Sequence, residues 1–212
     1  MRGDARCAEA ESQLRAYEKG EQELAAVRPL IAHQKKEPEI VFRELHRLAE
    51  RGSAYAMLYL GQAYKQGRGT EVDRGRAESW YRQSLDKGSL GVQRHGAYQL
   101  GWLLLEEGRY HEARDTFRIG SDQGYGPCVH RLAGMMRRGQ GGPRDLPRAR
   151  ALYEQAADAG QVFAMWDLGT LMVSGPFGWS ARLRGMGLLI QMWRQVCQVV
   201  ASAGYKDERL WR

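Results

Sequence analysis

The chain has 212 residues, 43% of them hydrophobic and 27% charged, with only six prolines, a balance that excludes a disordered or low-complexity polymer. Its 32 lysines and arginines against 25 acidic residues leave a net charge of +7, with 12 basic and six acidic residues falling in 125–212. The longest apolar run near the C-terminus, Met186 to Ile190, is broken by Gly187 and falls far short of the roughly 20 residues that span a bilayer.

In chain order, residues 4–27 are rich in Ala, Glu, Arg and Leu and predict a helix, which Pro29 ends or kinks unless it opens a short segment to His33. A second helix is expected from Glu39 to Arg51, with Phe42, Leu45, Leu48 and Ala49 facing inward. The next stretch reads as two helices folded about a glycine reversal. Ala56, Leu60 and Tyr64 share a face of the first, and Ala77, Trp80, Tyr81, Ser84 and Leu85 share a face of the second. Gly67 and Gly69 permit positive φ between them, Asp73 is placed to cap the second helix, and Gly88 is expected to end it as a left-handed C-cap.

The same pattern returns 72 residues later. Cys128, Leu132, Ala133, Met136, Gly139, Gly141, Asp145, Ala149, Leu152, Tyr153, Ala156 and Gly160 match Ala56, Leu60, Gly61, Tyr64, Gly67, Gly69, Asp73, Ala77, Trp80, Tyr81, Ser84 and Gly88 in order. One further unit fits between, since 72 is twice 36. In it, Leu100-Gly101 lies 40 after Leu60-Gly61, whereas Ala113 and Gly124 lie 36 after Ala77 and Gly88. Four residues are thus gained before its first helix, from Ser89 to Gly96, and four are lost from its loop. A fourth unit opens with Ala164, Leu168, Gly169, Met172 and Gly175 and then diverges into one long helix, about Ala181 to Ser202. The stripe of that helix, Leu183, Met186, Leu189, Ile190, Trp193, Val196, Cys197 and Val200, either covers the end of the core or mediates homodimerisation.

The pattern A-x-x-x-L-G-x-x-Y-x-x-G-x-G followed by D-x-x-x-A-x-x-W/Y-Y-x-x-A-x-x-x-G, nearly complete from Ala56 to Gly88, resembles the Sel-one-like repeat family of tetratricopeptide-type proteins. The domain reading is an N-terminal pair with a degenerate capping repeat over 1–52, repeats at 53–88, 89–124, 125–160 and 161–204, and a tail at 205–212. The expected fold is all-α, a right-handed superhelical solenoid of antiparallel helix pairs. The resemblance implies an adaptor or scaffold, not an enzyme.

Candidate chemistry is sparse. Ser84-Leu-Asp-Lys87 matches S-x-x-K, but Ser84 sits at the buried small-residue position and no K-T-G or S-D-N partner follows. His33, His46, His95, His111 and His130 pair neither with one another nor with a cysteine at helical spacing, so no metal or cofactor is expected. Cys7, Cys128 and Cys197 are too few and scattered for a disulfide framework, and Cys128 reads as a small buried apolar residue. The N-terminus, MRGDARCAEAESQL, has no hydrophobic stretch like a secretory leader, so a cytoplasmic location is expected, with a periplasmic or secreted one as the alternative should a leader have been removed.

What remains is surface. Stacked helix pairs place the first helices along the concave side, where the face opposite their packing side carries Tyr55, Tyr59, Gln62 and Gln66 in the first full unit. The equivalent positions are His95, Gln99, Trp102 and Glu106, then Arg131 and Arg138, then Phe163, Asp167 and Thr170. The expectation is a protein or peptide partner in this groove, with Tyr59, Trp102 and Arg131 as central anchors worth about 2 kcal/mol or more each. The alternative partner is a nucleic acid held by Arg131, Arg137, Arg138, Arg144 and Arg148.

Overall fold

A computed structural model describes residues 19–158 and 162–202. The expected start of the first helix before residue 19, Cys7, Gly160 and the tail at 205–212 lie outside them, as does the side chain of Val200. Among the described residues there are ten helices and no strand: α1 (19–33), α2 (Pro38–Glu50), α3 (Ala54–Gln66), α4 (Arg74–Lys87), α5 (Leu90–Glu106), α6 (Tyr110–Asp122), α7 (Gly126–Arg138), α8 (Leu146–Asp158), α9 (Val162–Ser174) and α10 (Trp179–Ser202). The all-α helical-repeat class expected from the 36-residue period is therefore the one adopted. The chain divides into two compact units, one ending at Cys128 and the other beginning at Val129.

In the first unit α1 runs unbroken through Pro29, contrary to the expectation that it ends or restarts there. Its packing outweighs the lost N–H: Val27 is fully buried among Val41, Leu45 and Ala49 of α2 and Ala56, Met57 and Leu60 of α3, with Leu30 and Ile31 against the same cluster. Leu45 and Ala49 point inward as expected, Phe42 and Leu48 flank them half-buried, and Val41 joins the inward set. Glu23 of α1 accepts the Ala54 N–H at 3.0 Å, and Ser53 Oγ the Ala56 N–H at 3.3 Å, so an anion and a hydroxyl satisfy the start of α3.

The α3–α4 reversal has its glycines in the left-handed region, Gly67 at φ 68° and Gly69 at 73°. Asp73 then caps α4, its carboxylate accepting the Arg76 N–H at 2.9 Å. Asp73→Ala is expected to cost about 1 kcal/mol and Asp73→Ser much less, read from urea unfolding midpoints. Equal losses would mean that the cap bond contributes nothing.

Gly88 is not the left-handed cap expected. Its backbone is extended, φ −80° and ψ 151°. What excludes a side chain there is close approach: a Cβ would stand 2.5 Å from the Ser84 carbonyl oxygen and 2.7 Å from Val92. The chain passes directly into α5, whose 17 residues exceed the 13 of α3 by four. The residues gained in this repeat thus form an extra helical turn, not a segment preceding the helix. Gly101 of α5 lies under the Phe117 ring of α6, as Gly61 of α3 lies under the Tyr81 ring of α4. Beyond the tight turn at Gly108, Arg109 bridges Glu78 of α4 and Glu112 of α6 at 2.7 Å each. That pairing holds the guanidinium's proton more firmly and draws both carboxyls below their ordinary range.

In the second unit Asp145 repeats the cap, accepting the Arg148 N–H at 2.9 Å, and Pro147 falls in the first turn of α8. Ala149, Tyr153 and Ala156 form the buried face of α8. α10 packs on α9 through small residues: a Cβ on Gly185 would meet the Gly169 carbonyl at 2.8 Å, and one on Gly169 would meet Leu189 at 2.7 Å. Ala181, Gly185 and Met192 therefore face inward. Of the stripe expected to cover the core, from Leu183 to Val200, Leu189 packs over Gly169, while the rest of its described side chains turn away because this close approach sets the small-residue side of α10 toward α9. Leu183, Met186, Ile190, Trp193 and Val196 stand exposed.

Candidate interaction surface

The first unit assembles a face from α1, α3 and α5. Tyr55, Tyr59 and Gln62 of α3 are half-buried and Gln66 is exposed; Gln99 and Trp102 of α5 are half-buried. Tyr55 and Tyr59 pack against the cluster built around Val27 of α1, so their rings belong partly to the seam between neighbouring repeats. Burial raises both phenols above their ordinary value, reinforced at Tyr55 by Glu21 and opposed at Tyr59 by Arg28. Tyr55 also reaches α5, since a Cβ on Gly91 would lie 3.1 Å from its hydroxyl. At the far end Glu106 of α5 binds Lys65 of α3 at 2.9 Å and lies 3.9 Å from Arg74. These two contacts register α3 against α5 along their length. Between them lie Gln62, Gln66 and Gln99, whose amides make no hydrogen bond with the described residues, while Trp102 is engaged by its surroundings. An amide carries donors and an acceptor together, the set that matches a peptide backbone.

Further along the same face, His95 stands 5.2 Å from the Tyr125 ring and is bonded through Nδ1 to the Gly91 carbonyl at 2.9 Å. Tyr98 lies between Phe117 and Tyr125, 6.3 Å from each.

The second unit carries a different set. His130 of α7 places Nε2 2.8 Å from Asp167 Oδ2 of α9, the arrangement of an N–H donating to a carboxylate, and Arg137 lies 3.5 Å from the other oxygen. The His130 bond, then the charges of Arg137 and Arg138, hold the Asp167 carboxyl below the usual aspartate range. Asp167 is therefore an internal anchor between helices as well as a surface residue. A carboxyl with a depressed native pKa contributes stability above its ordinary value of 3.8 and loses it as the pH falls through the native value. Asp167→Asn is expected to destabilise at pH 7, with the difference from wild type closing below about pH 4. A pH-independent difference in the melting temperature would refute that coupling.

Of the remaining expected residues, Arg138 is exposed and bonds Gln140 at 2.8 Å, Phe163 is 80% exposed, Thr170 Oγ1 donates to the Asp167 carbonyl at 2.9 Å, and Arg131 is half-buried and engaged. The arginines named for nucleic acid are largely committed within the protein, Arg144 Nε donating to the Arg137 carbonyl at 3.1 Å. Reading by residue type passed over the His130–Asp167 pair and Lys65. The signal for the pair was its separation of 37, one residue more than the 36-residue repeat, which brings the two to nearly the same level on successive first helices.

The enzymatic and metal candidates fit the packing. Ser84 is fully buried and its Oγ donates to the Tyr81 carbonyl at 2.7 Å, so it has no access to substrate. No cluster of three metal-binding side chains exists among the described residues. Cys128 is buried beside Gly120, and burial pushes its thiol up to about 12. No helix among the described residues is long and apolar enough to cross a membrane.

The family model for the Sel1 repeat matches residues 54–89 and 127–161. No curated protein sequence matches the chain. Among solved structures, a Sel1 repeat protein from Oxalobacter formigenes superposes with a TM-score of 0.66 at 20% identity, over 87% of this chain and 84% of that one. A protective antigen of uropathogenic Escherichia coli strains, displaying an SLR fold, superposes with a TM-score of 0.67 at 21% identity over 86% of this chain. The match spans 40% of the antigen's length. At these identities the likeness is one of fold.

Proposed function

As a Sel1-like repeat protein of all-α helical-repeat fold, this chain serves, we propose, as a non-catalytic scaffold that binds a segment of a protein partner on the face formed by α3 and α5. The observation that carries the reading is the row of uncommitted amides, Gln62, Gln66 and Gln99, beside Trp102, on two helices held in register by Lys65–Glu106. An extended segment would hydrogen-bond its peptide groups to the amides and seat an apolar side chain on the indole. Tyr55 and Tyr59 stiffen the wall of this site more than they line it, and Arg131 belongs to the second unit's own set. A protein partner is favoured over nucleic acid because Arg137, Arg138 and Arg144, three of the five arginines named for a phosphate backbone, are already bonded internally.

The test is a photo-crosslinking amino acid placed at Gln66, which is exposed, and in a second protein at Glu154 on α8. Crosslinks to one discrete protein from Gln66 and none from Glu154 are expected. Equal labelling from both positions, or labelling of nucleic acid from Gln66, would end this reading.

A further inference from the structure

The exposed face of α10 has its own rhythm. Trp179, Leu183, Met186, Ile190, Trp193 and Cys197 are spaced 4-3-4-3-4, the a/d spacing of a coiled-coil seam, whereas α10 packs on α9 through Ala181, Gly185 and Met192 on its other side. The seam residues are open to solvent, Trp179 at 77%, Leu183 at 60%, Ile190 at 57% and Trp193 at 64%. With aromatic side chains counted at about 150–250 Å² each, these exposures put the stripe on the order of 700 Å². That exceeds the roughly 300–600 Å² of the largest apolar patch on an ordinary monomer and approaches the ~800 Å² that each partner of a standard interface buries.

We propose that this stripe is the interface of a homodimer, in which α10 of one copy pairs antiparallel with α10 of a second about a two-fold axis beside Leu188. In that register Leu183 of one copy lies against Trp193 of the other, Met186 against Ile190 and Trp179 against Cys197, so every large side chain meets a smaller one. The flanking rows are compatible. α10 carries three arginines, Arg182, Arg184 and Arg194, and no acidic residue, so a self-pairing must keep them apart. Arg182 falls opposite Val196 and Arg194 opposite Ser180, so no arginine meets another. Gly187 falls opposite itself at the axis, and a Cβ there would have open space around it, which leaves two backbones free to approach. A parallel pairing instead stacks Trp179 on Trp179 and Trp193 on Trp193. The dimer is independent of the α3–α5 site, since it uses a different unit of the chain.

Sedimentation equilibrium of the full chain from about 1 to 100 µM reads this directly. A species of twice the 24.0 kDa chain mass is expected. Ile190→Glu is expected to raise the dissociation constant about 30-fold or more, with unchanged circular dichroism because Ile190 is exposed. Arg184→Glu, off the seam, should shift it by no more than about threefold. Gly187→Cys, with Cys7 and Cys197 replaced by serine, is expected to oxidise to a covalent dimer. A monomer throughout the range, an Ile190→Glu protein that dimerises as well as wild type, or a Gly187→Cys protein that does not cross-link would overturn the proposal.

Discussion

Gly69→Ala is expected to destabilise the first unit by more than about 3 kcal/mol, while Gly108→Ala costs only about 1 kcal/mol. Both glycines hold the same backbone conformation, φ 73° and 76°. A β-carbon therefore meets the same intrinsic penalty at each. The surroundings differ. At Gly108 nothing lies within 4 Å of the added carbon, whereas at Gly69 it would stand 2.2 Å from the Pro38 carbonyl oxygen and 3.0 Å from the Glu39 nitrogen. Those are backbone atoms at the start of α2, which no rotamer change can move. Relief requires that the reversal separate from α2. Urea unfolding of the two variants beside wild type measures the contrast, and equal losses would show that the reversal does not rest on α2.

The second large effect concerns the tyrosines at equivalent places in the two matched repeats. Tyr81 and Tyr153 are both fully buried, and neither hydroxyl has a hydrogen-bond partner among the described residues. Burial raises both phenols, Tyr153 to about 12. The ring is what the packing uses, since Gly61 sits directly under Tyr81, 2.5 Å from where its Cβ would be. Tyr81→Ala should then cost about 3–5 kcal/mol through the cavity it leaves. Tyr81→Phe and Tyr153→Phe, which delete only an unsatisfied hydroxyl, should be neutral or stabilising by up to about 1 kcal/mol. A loss above 1 kcal/mol in either phenylalanine variant would reveal a partner for the hydroxyl and contradict this account.

What the sequence made legible was whatever repeats. The 36-residue period placed the glycine reversal, the Asp73 and Asp145 caps and the buried Ala77, Tyr81, Ala149 and Tyr153, because each depends on local geometry imposed in every unit. It misplaced features decided by neighbours. Gly88 is required by the closeness of Val92 and not by a positive φ, a distinction that composition cannot make. Pro29 stays inside α1 because Val27 and Ile31 hold that helix to the core, a tertiary effect stronger than its local cost. On α10 the stripe from Leu183 to Val200 was expected to face the core, and only the close contact of Gly185 with Gly169 reveals which side turns inward. The positions of the proposed interaction face on α3 and α5 followed from helical spacing alone. Their division of labour did not, since the roles of Tyr55 and Tyr59 depend on α1, a helix from the least regular repeat.

The most direct test of the scaffold reading is capture from host lysate after nuclease treatment, comparing wild type with a Gln62→Ala, Gln99→Ala, Trp102→Ala protein whose circular dichroism and melting temperature match it. The account predicts one protein retained by the wild type at stoichiometric yield and lost, by about tenfold or more, from the variant. Undiminished capture by the variant would place binding away from α3 and α5 and contradict it.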